Sequence, residues 1–153
     1  MNTIERILVP VDFSECSRAA VKAAVGLAAR YGAEVELLHV HDAPWTPEAV
    51  TVRTEDGREV AAEEYLEEES QRQLTELVDS VPDLARIAHR KSIRTGMSHD
   101  IILNRARAAG TDLIVMGTHG RTGLSHLLMG SVAEKVLRGA PCPVLVVRDE
   151  YPS

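Results

Sequence analysis

The chain has 153 residues, of which 44% are hydrophobic, 26% charged and only 3% aromatic. Globular domains span about 100–200 residues, so we expect one domain over residues 1–153 that folds without disulfides. No apolar run reaches the roughly 18 residues of a membrane span. Met1–Ile4 leads directly into a charged Glu5-Arg6 pair, which is not the pattern of a signal peptide. Two cysteines are too few for a disulfide framework. These features predict a cytoplasmic protein.

The net charge of −6 conceals two regions of opposite sign. Between Arg53 and Glu76, nine acidic residues accompany three basic ones, whereas between Arg86 and Arg148, ten basic residues accompany three acidic ones. The basic half favours binding of an anion. A DNA-binding protein is not favoured, since aromatic residues are scarce and no basic residues cluster on one helical stripe.

The first half of the chain predicts alternating strands and helices. The predicted elements are a strand at Arg6–Val11, a helix at Ser14–Tyr31, a strand at Glu34–Val40 and a helix at Ala61–Ser80. Asp12 and Ser14 are candidate caps of the first helix, and Gly32 is its expected stop. The intervening segment Asp42–Arg58 shows no clear period, so we expect a loop that is functional or mobile.

The second half repeats this alternation. Its predicted elements are a strand at Arg86–Arg94, a helix from about Ser98 to Ala109, a strand at Asp112–Met116, a helix near Ser131–Arg138 and a strand at Pro143–Val147. Arg90 and Lys91 interrupt the first of these strands, as charges do at a sheet edge. Gly110 and Gly139 are expected helix stops. The pattern predicts a doubly wound α/β fold of five parallel strands and four helices.

The segment Gly117–Val132 carries the clearest functional signal. It begins at the carboxyl end of a buried strand and ends where a helix begins, which is where open α/β sheets bind ligands. Gly117 and Gly120 allow backbone N–H groups to approach a phosphate closely. Gly130 and Ser131 begin a helix whose N-terminus attracts anions, and Arg121 could add a charge-assisted contact.

Two standard phosphate-binding patterns do not fit this chain. It contains no Gly-x-x-x-x-Gly-Lys-Ser/Thr string, and the turn after the first strand, within Val9–Ser14, has no glycine for a dinucleotide fingerprint. On spacing alone, the glycines of Gly117–Val132 could also serve only to make turns.

The arrangement Gly117-x-x-Gly120, nine residues, then Gly130-Ser131 resembles the nucleotide loop of the universal stress protein family. Val9–Ser14, Leu37–Val40 and Pro141–Val147 are similar to that family as well, so the resemblance covers essentially the whole chain. It implies a flavodoxin-like, Rossmann-like sheet of order 3-2-1-4-5, homodimerisation and, in the subclass with this glycine motif, binding of ATP with its Mg²⁺.

The resemblance also implies roles for individual residues. Asp12 would lie near the base or ribose, with Pro10, Val11 and Val40 around the adenine; a plain helix cap is the alternative for Asp12. The ribose and phosphates would be enclosed by Met116, Gly117, Thr118, His119, Gly120, Arg121, Thr122, Gly130, Ser131 and Val132. Ser131 could offer its hydroxyl to a phosphate or merely cap its helix.

The histidines and cysteines suggest no metal site at this stage. His39 and His41 should share one face of a strand, but no nearby cysteine or carboxylate has ligand spacing, so we expect no zinc. His119 is assigned to loop packing. Cys16 and Cys142 are expected to be small buried apolar residues.

These patterns favour an ATP-binding regulatory protein that acts in stress tolerance through nucleotide and partner binding, with the protein partner unidentified. No general base is evident for fast hydrolysis. A slow ATPase or nucleotidyl transferase remains the alternative, with an acceptor site in Asp42–Arg58. A receiver-type switch is disfavoured, because Asp12 stands alone and Arg94–Gly96 offers no phospho-acceptor. The apolar, edge-placed Val144–Val147 predicts a homodimer near this strand.

Overall fold

The computed structural model describes residues 3–42, 50–119 and 129–149. The strands are β1 (Arg6–Pro10), β2 (Glu34–His41), β3 (Thr51–Arg53), β4 (Glu59–Ala61), β5 (His89–Thr95), β6 (Leu113–Gly117) and β7 (Val144–Val147). The helices are α1 (Glu15–Tyr31), α2 (Ala62–Asp79), α3 (Ser98–Ala109) and α4 (Ser131–Gly139), with a short 3-10 helix at Pro82–Arg86. No helix in these ranges combines the length and apolar character needed to cross a membrane.

Five strands form a parallel sheet in the order β5-β2-β1-β6-β7. Counted along the chain, these strands have the order 3-2-1-4-5, which confirms the predicted topology. The chain moves outward from β1 to β5 and then returns to β6 on the other side of β1. Strand order therefore reverses between β1 and β6, and their carboxyl ends leave a crevice.

Helices cover both faces of the sheet. Ile7 and Val9 of β1 belong to a core that includes residues of α1 and α2, whereas Leu8 belongs to a second core with residues of α3 and α4. Successive side chains of a strand point to opposite faces, so a continuous apolar strand supplies both cores at once. The doubly wound arrangement is confirmed.

Helix α1 begins and ends as its sequence predicts, with one change in the role of Asp12. Ser14 is the N-cap and its hydroxyl accepts from the Ser17 N–H, while Gly32 ends the helix in the left-handed conformation at φ +69°. Asp12 is not the cap. Its carboxylate instead accepts from Ser14 and so supports the cap.

The prediction of an unstructured Asp42–Arg58 loop is wrong for its described part, and residues 43–49 lie outside the described ranges. Strand β3 pairs antiparallel with β4, Val52 opposite Val60, to make a two-stranded ribbon. The Thr54 N–H donates to the Arg58 carbonyl at 2.8 Å, and Gly57 adopts φ +86°. The Asp56-Gly57 pair, between the two strands, is a sequence typical of hairpin turns. The strands themselves were not predicted because three residues are too few to show an alternation of apolar and polar side chains.

Two smaller predictions also need correction. Arg86 belongs to the 3-10 helix, so the third parallel strand begins only at His89. Gly139 is not a left-handed stop; it is the last residue of α4, and a Cβ there would lie 2.8 Å from Cδ1 of Leu103. A side chain at this position would require the end of the Leu103 side chain on α3 to shift.

Candidate functional site

A cavity of about 410 Å³ lies at the carboxyl ends of β1, β2 and β6. It therefore lies at the point of the sheet where strand order reverses. The volume falls within the range of about 300–1,000 Å³ that is usual for small-molecule sites. Its described lining is Pro10, Val11, Asp12, Ser17, Leu38, His39, Val40, Asp42, Ser98, Ile102, Met116, Gly117, Thr118, His119, Gly130, Ser131, Val132 and Ala133.

Every predicted site residue that the structure describes lines this one cavity. They come from three separate parts of the chain: Pro10–Asp12 after β1, Val40 at the end of β2, and the two sides of the glycine segment, Met116–His119 and Gly130–Val132. Gly120, Arg121 and Thr122 lie outside the described residues. The fold thus brings together residues that lie more than 100 positions apart.

Asp12 presents a carboxylate that is only partly used within the protein. Its Oδ1 accepts from the Ser14 N–H at 3.0 Å and from the Ser14 hydroxyl at 2.5 Å. Its own N–H donates to Oγ of Ser17 at 3.2 Å, which fixes the backbone at the end of β1. Among the described residues, Oδ2 accepts no hydrogen bond, so one carboxylate oxygen can accept from a ligand hydroxyl.

The N-terminus of α4 offers backbone donors. The Gly130 N–H donates to the Thr118 carbonyl at 2.6 Å, which fixes the backbone just before the helix. The helix ladder starts with the Glu134 N–H, which donates to the Gly130 carbonyl at 3.0 Å. The N–H groups of residues 131–133 precede that bond, and no side chain of the described residues caps the helix. These three N–H groups and the helix dipole favour an anion.

Gly117 lies in close contact with the first helix. A Cβ at this position would lie 2.6 Å from Cβ of Cys16 and 2.9 Å from its backbone carbon. The first turn of α1 therefore packs directly on the end of β6. The missing side chain admits this helix.

A ring cluster lies beside the cavity, at the ends of β1 and β2. His39 and His41 do share a face, as predicted, with ring centroids 5.0 Å apart, and Phe13 lies 4.6 Å from His39. Nδ1 of His39 donates to the Val11 carbonyl at 2.8 Å, which links the ends of β1 and β2. Phe13 has φ +67°, a strained conformation for a bulky residue, and such strain concentrates at functional sites.

Comparisons with known proteins identify the family of this chain. The universal stress protein family matches residues 3–148. Universal stress protein MJ0531 of Methanocaldococcus jannaschii is 36% identical over 148 residues, which cover 96% of this chain and 84% of the relative. The chain belongs to the universal stress protein family.

Solved structures of this family share the fold. The structure of MJ0577 from Methanocaldococcus jannaschii superposes with a TM-score of 0.75 at 28% identity, covering 99% of this chain and 100% of the other. A universal stress protein from Archaeoglobus fulgidus, solved in complex with dAMP, superposes with a TM-score of 0.63 at 21% identity. The superposition covers 95% of this chain and 99% of the Archaeoglobus fulgidus chain. At this identity it shows that the two proteins share a fold.

Several residues that line the cavity of this universal stress protein were not predicted. Oγ of Ser98, the first residue of α3, donates to Oδ1 of Asp42 at 2.9 Å, and both residues line the cavity. Ser17, in the first turn of α1, lines it as well. A serine beginning a helix just beyond a strand end is a signal that could have revealed Ser98. Nothing in the sequence pairs it with Asp42, which lies 56 positions away.

Sequence spacing indicated no metal-ligand set, but the fold brings one cysteine and one carboxylate close to His119. Cys16 is buried at the start of α1, His119 follows β6, and Asp149 follows β7. The ligand atoms of these three side chains all lie within 4.8 Å of one another. Sequence spacing could not show this, because the three residues come from opposite ends of the chain.

Proposed function

We propose that this universal stress protein binds ATP in the cavity at the switch point of its sheet and acts as a regulatory, stress-tolerance protein. The observation that carries the proposal is the cavity itself: residues chosen from three distant sequence segments all line it. We further propose that residues 1–153 act as one nucleotide-binding domain in the cytoplasm, through contacts with a protein partner.

The chemistry of the lining suits the two ends of a nucleotide. Pro10, Val40 and the buried Met116 supply apolar surface for an adenine ring, and the second oxygen of Asp12 can accept from a ribose hydroxyl. At the other side, the uncapped N-terminus of α4 supplies backbone donors for phosphate oxygens. Mg²⁺ bound to the phosphates would offset their remaining negative charge.

A relative of the same fold supports an adenine nucleotide as the ligand class. The Archaeoglobus fulgidus protein was solved in complex with dAMP. We propose ATP as the ligand of the present protein because the spacing Gly117-x-x-Gly120, nine residues, Gly130-Ser131 resembles that of the ATP-binding subclass of the family.

The decisive experiment compares the thermal unfolding of the protein without nucleotide and in the presence of Mg-ATP. Binding raises the free energy of unfolding by RT ln(1 + [L]/Kd), about 2.7 kcal/mol at a hundredfold excess over Kd. Asp12→Ala should reduce the shift caused by ATP but leave that caused by inorganic triphosphate, because Asp12 meets the nucleoside end. Asp83→Ala, an exposed carboxylate in the 3-10 helix, is the control and should retain the full shift.

A second variant tests the phosphate end. Gly130→Val places a branched side chain at the cap of α4, so it should abolish the ATP-dependent shift while the apo protein still unfolds cooperatively. The absence of any shift in the wild-type protein at millimolar Mg-ATP would refute nucleotide binding. Sustained phosphate release during the same incubation would instead favour the slow ATPase.

A further inference from the structure

We propose that Cys16, His119 and Asp149 form a three-ligand site for a zinc-class divalent cation beside the nucleotide cavity. Each side chain supplies one ligand atom: a thiolate sulfur, an imidazole nitrogen and a carboxylate oxygen. All three atoms lie within 4.8 Å of one another. This site is separate in its chemistry from the Mg²⁺ that accompanies ATP, and it needs no nucleotide.

The ligand set selects the class of metal. Thiolate and imidazole together suit Zn²⁺ and Co²⁺, whereas Mg²⁺ and Ca²⁺ prefer oxygen ligands. In tetrahedral zinc sites the metal–ligand bonds are about 2.0–2.3 Å, so neighbouring ligand atoms are separated by about 3.5 Å. Movements of about 1 Å in each side chain would close the present cluster around an ion. Three protein ligands leave a fourth position open, as in catalytic and exchangeable zinc sites.

The backbone around the cluster holds its three parts together. The Thr118 N–H donates to the Val147 carbonyl at 3.0 Å, which joins the ends of β6 and β7 just before His119 and Asp149. Sγ of Cys16 lies 3.7 Å from Oγ1 of Thr118. Cys16 also packs against Gly117, where even a Cβ would be too close. Two ligands thus follow neighbouring strand ends, and the third lies on a helix fixed against one of those ends.

The position of the cluster gives the metal a structural consequence. A bound ion would connect the first turn of α1, the end of β6 and the segment that follows β7. His119 and Thr118 also line the nucleotide cavity. The ion would therefore stabilise one wall of the cavity, and its occupancy should raise the melting temperature of the apo protein.

The experiment is a titration of reduced, tag-free apo protein with Co²⁺ and then with Zn²⁺. We expect one Co²⁺ per chain with a thiolate-to-cobalt charge-transfer band in the near ultraviolet, displaced by stoichiometric Zn²⁺ and unaffected by millimolar Mg²⁺. Cys16→Ser should remove the band. Cys142→Ser is the matched control: it removes the other cysteine of the chain, which is half-buried and not in the cluster, and should leave the band intact.

Two further variants keep the proposal testable if Cys16→Ser fails to fold. Asp149 is exposed, so Asp149→Asn should fold normally yet weaken Zn²⁺ binding at least about 10-fold, since even groups outside the ligand shell cost about 10–100-fold in affinity. His119→Gln should weaken it at least as much. The proposal is overturned if the wild-type protein gives no charge-transfer band at tens of micromolar, if the band survives in Cys16→Ser, or if Asp149→Asn and His119→Gln both bind Zn²⁺ with unchanged affinity.

Discussion

At the scale of single residues, Glu36 is a carboxylate buried in the parallel sheet, with 4% of the residue exposed. Arg105 donates to both of its oxygens at 2.8 and 3.0 Å, and the Ser92 hydroxyl donates to Oε1 at 2.8 Å. Burial alone would raise the pKa of Glu36. The hydrogen bonds from Arg105 and Ser92, with the charges of Arg105 and Arg90, outweigh burial and lower the pKa below its ordinary value of 4.5.

This pKa shift predicts an acid-dependent loss of stability. A carboxyl group whose pKa is lower in the folded state stabilises that state above its unfolded pKa, and the stabilisation is lost as pH falls through the folded value. Glu36→Gln should therefore lower the free energy of unfolding by about 1–3 kcal/mol at pH 7, because charge-assisted hydrogen bonds are lost and Arg105 keeps a weaker acceptor. The deficit should shrink as the pH is lowered below about 4.5, as measured by urea unfolding at a series of pH values.

Glu34→Gln is the control for this prediction. Glu34 lies on the same strand and its carboxylate is 3.5 Å from Arg90, but both side chains are more than a third exposed. Surface ion pairs contribute about 0–1 kcal/mol, so this variant should unfold almost as the wild type does at every pH. An equal loss of unfolding free energy in both variants would contradict the prediction, because it would mean that the buried carboxylate stabilises the fold no more than the exposed one does.

Gly117 gives a second residue-scale prediction. Gly117→Ala introduces a Cβ within 2.6 Å of Cys16, and the neighbouring backbone carbon cannot move away easily. Overpacking of this kind costs about 1–3 kcal/mol, which thermal unfolding of the apo protein should detect. Gly26→Ala, in the middle of α1 with nothing within 4 Å of the new Cβ, should instead stabilise the protein by about 0.5–1 kcal/mol. Neutral behaviour of both variants would contradict the packing argument.

At the scale of elements, the ribbon of β3 and β4 depends on its turn. Gly57 has φ +86°, and its N–H donates to the Thr54 carbonyl at 2.9 Å. Gly57→Ala should cost about 1 kcal/mol, because the left-handed conformation is strained for residues with a Cβ. Amide hydrogen exchange in the ribbon should then accelerate about fivefold, with no change in the parallel sheet. Glu55→Ala, in the same turn but with a negative φ, should leave exchange unchanged.

The sequence predicts long elements well and their junctions less well. All five parallel strands and four helices were predicted because each has an apolar period or a distinct cap, as Ser14 and Gly32 show for α1. The ribbon was missed because three-residue strands have no detectable period. Arg86 was assigned to the following strand, whereas it is the last residue of the 3-10 helix at Pro82–Arg86.

Within the candidate site, the sequence predicted which residues come together but not the atomic contacts between them. Resemblance to a family identified residues that line one cavity, but it did not reveal that Gly117 packs on Cys16 or that the Gly130 N–H donates to the Thr118 carbonyl. Such contacts depend on how separate elements pack. The pairing of Asp42 with Ser98 and the Cys16–His119–Asp149 cluster are tertiary contacts for the same reason, and spacing along one chain does not reveal them.

At the scale of the whole molecule, the two edges of the sheet differ. Edge strand β5 carries charged residues such as Arg90 and Lys91, which discourage pairing with another chain. Edge strand β7 is entirely apolar, and its Leu145 is 40% exposed. An exposed apolar edge needs a cover, so we propose a homodimer through Val144–Val147 that buries about 1,200–2,000 Å² in total.

A charge on this edge should therefore dissociate the dimer. Leu145→Lys places an ammonium group where apolar strand surface would be buried, and we expect it to weaken association by about 2 kcal/mol or more, about 30-fold in the dissociation constant. Leu66→Lys is the matched control, because Leu66 is 42% exposed on α2, away from β7. Sedimentation velocity from about 1 to 50 µM should show dimer for the wild type and for Leu66→Lys, with monomer prevailing for Leu145→Lys across the lower part of this range. A wild-type protein that stays monomeric at tens of micromolar would exclude the dimer, and equal dissociation of both variants would place the interface on another surface.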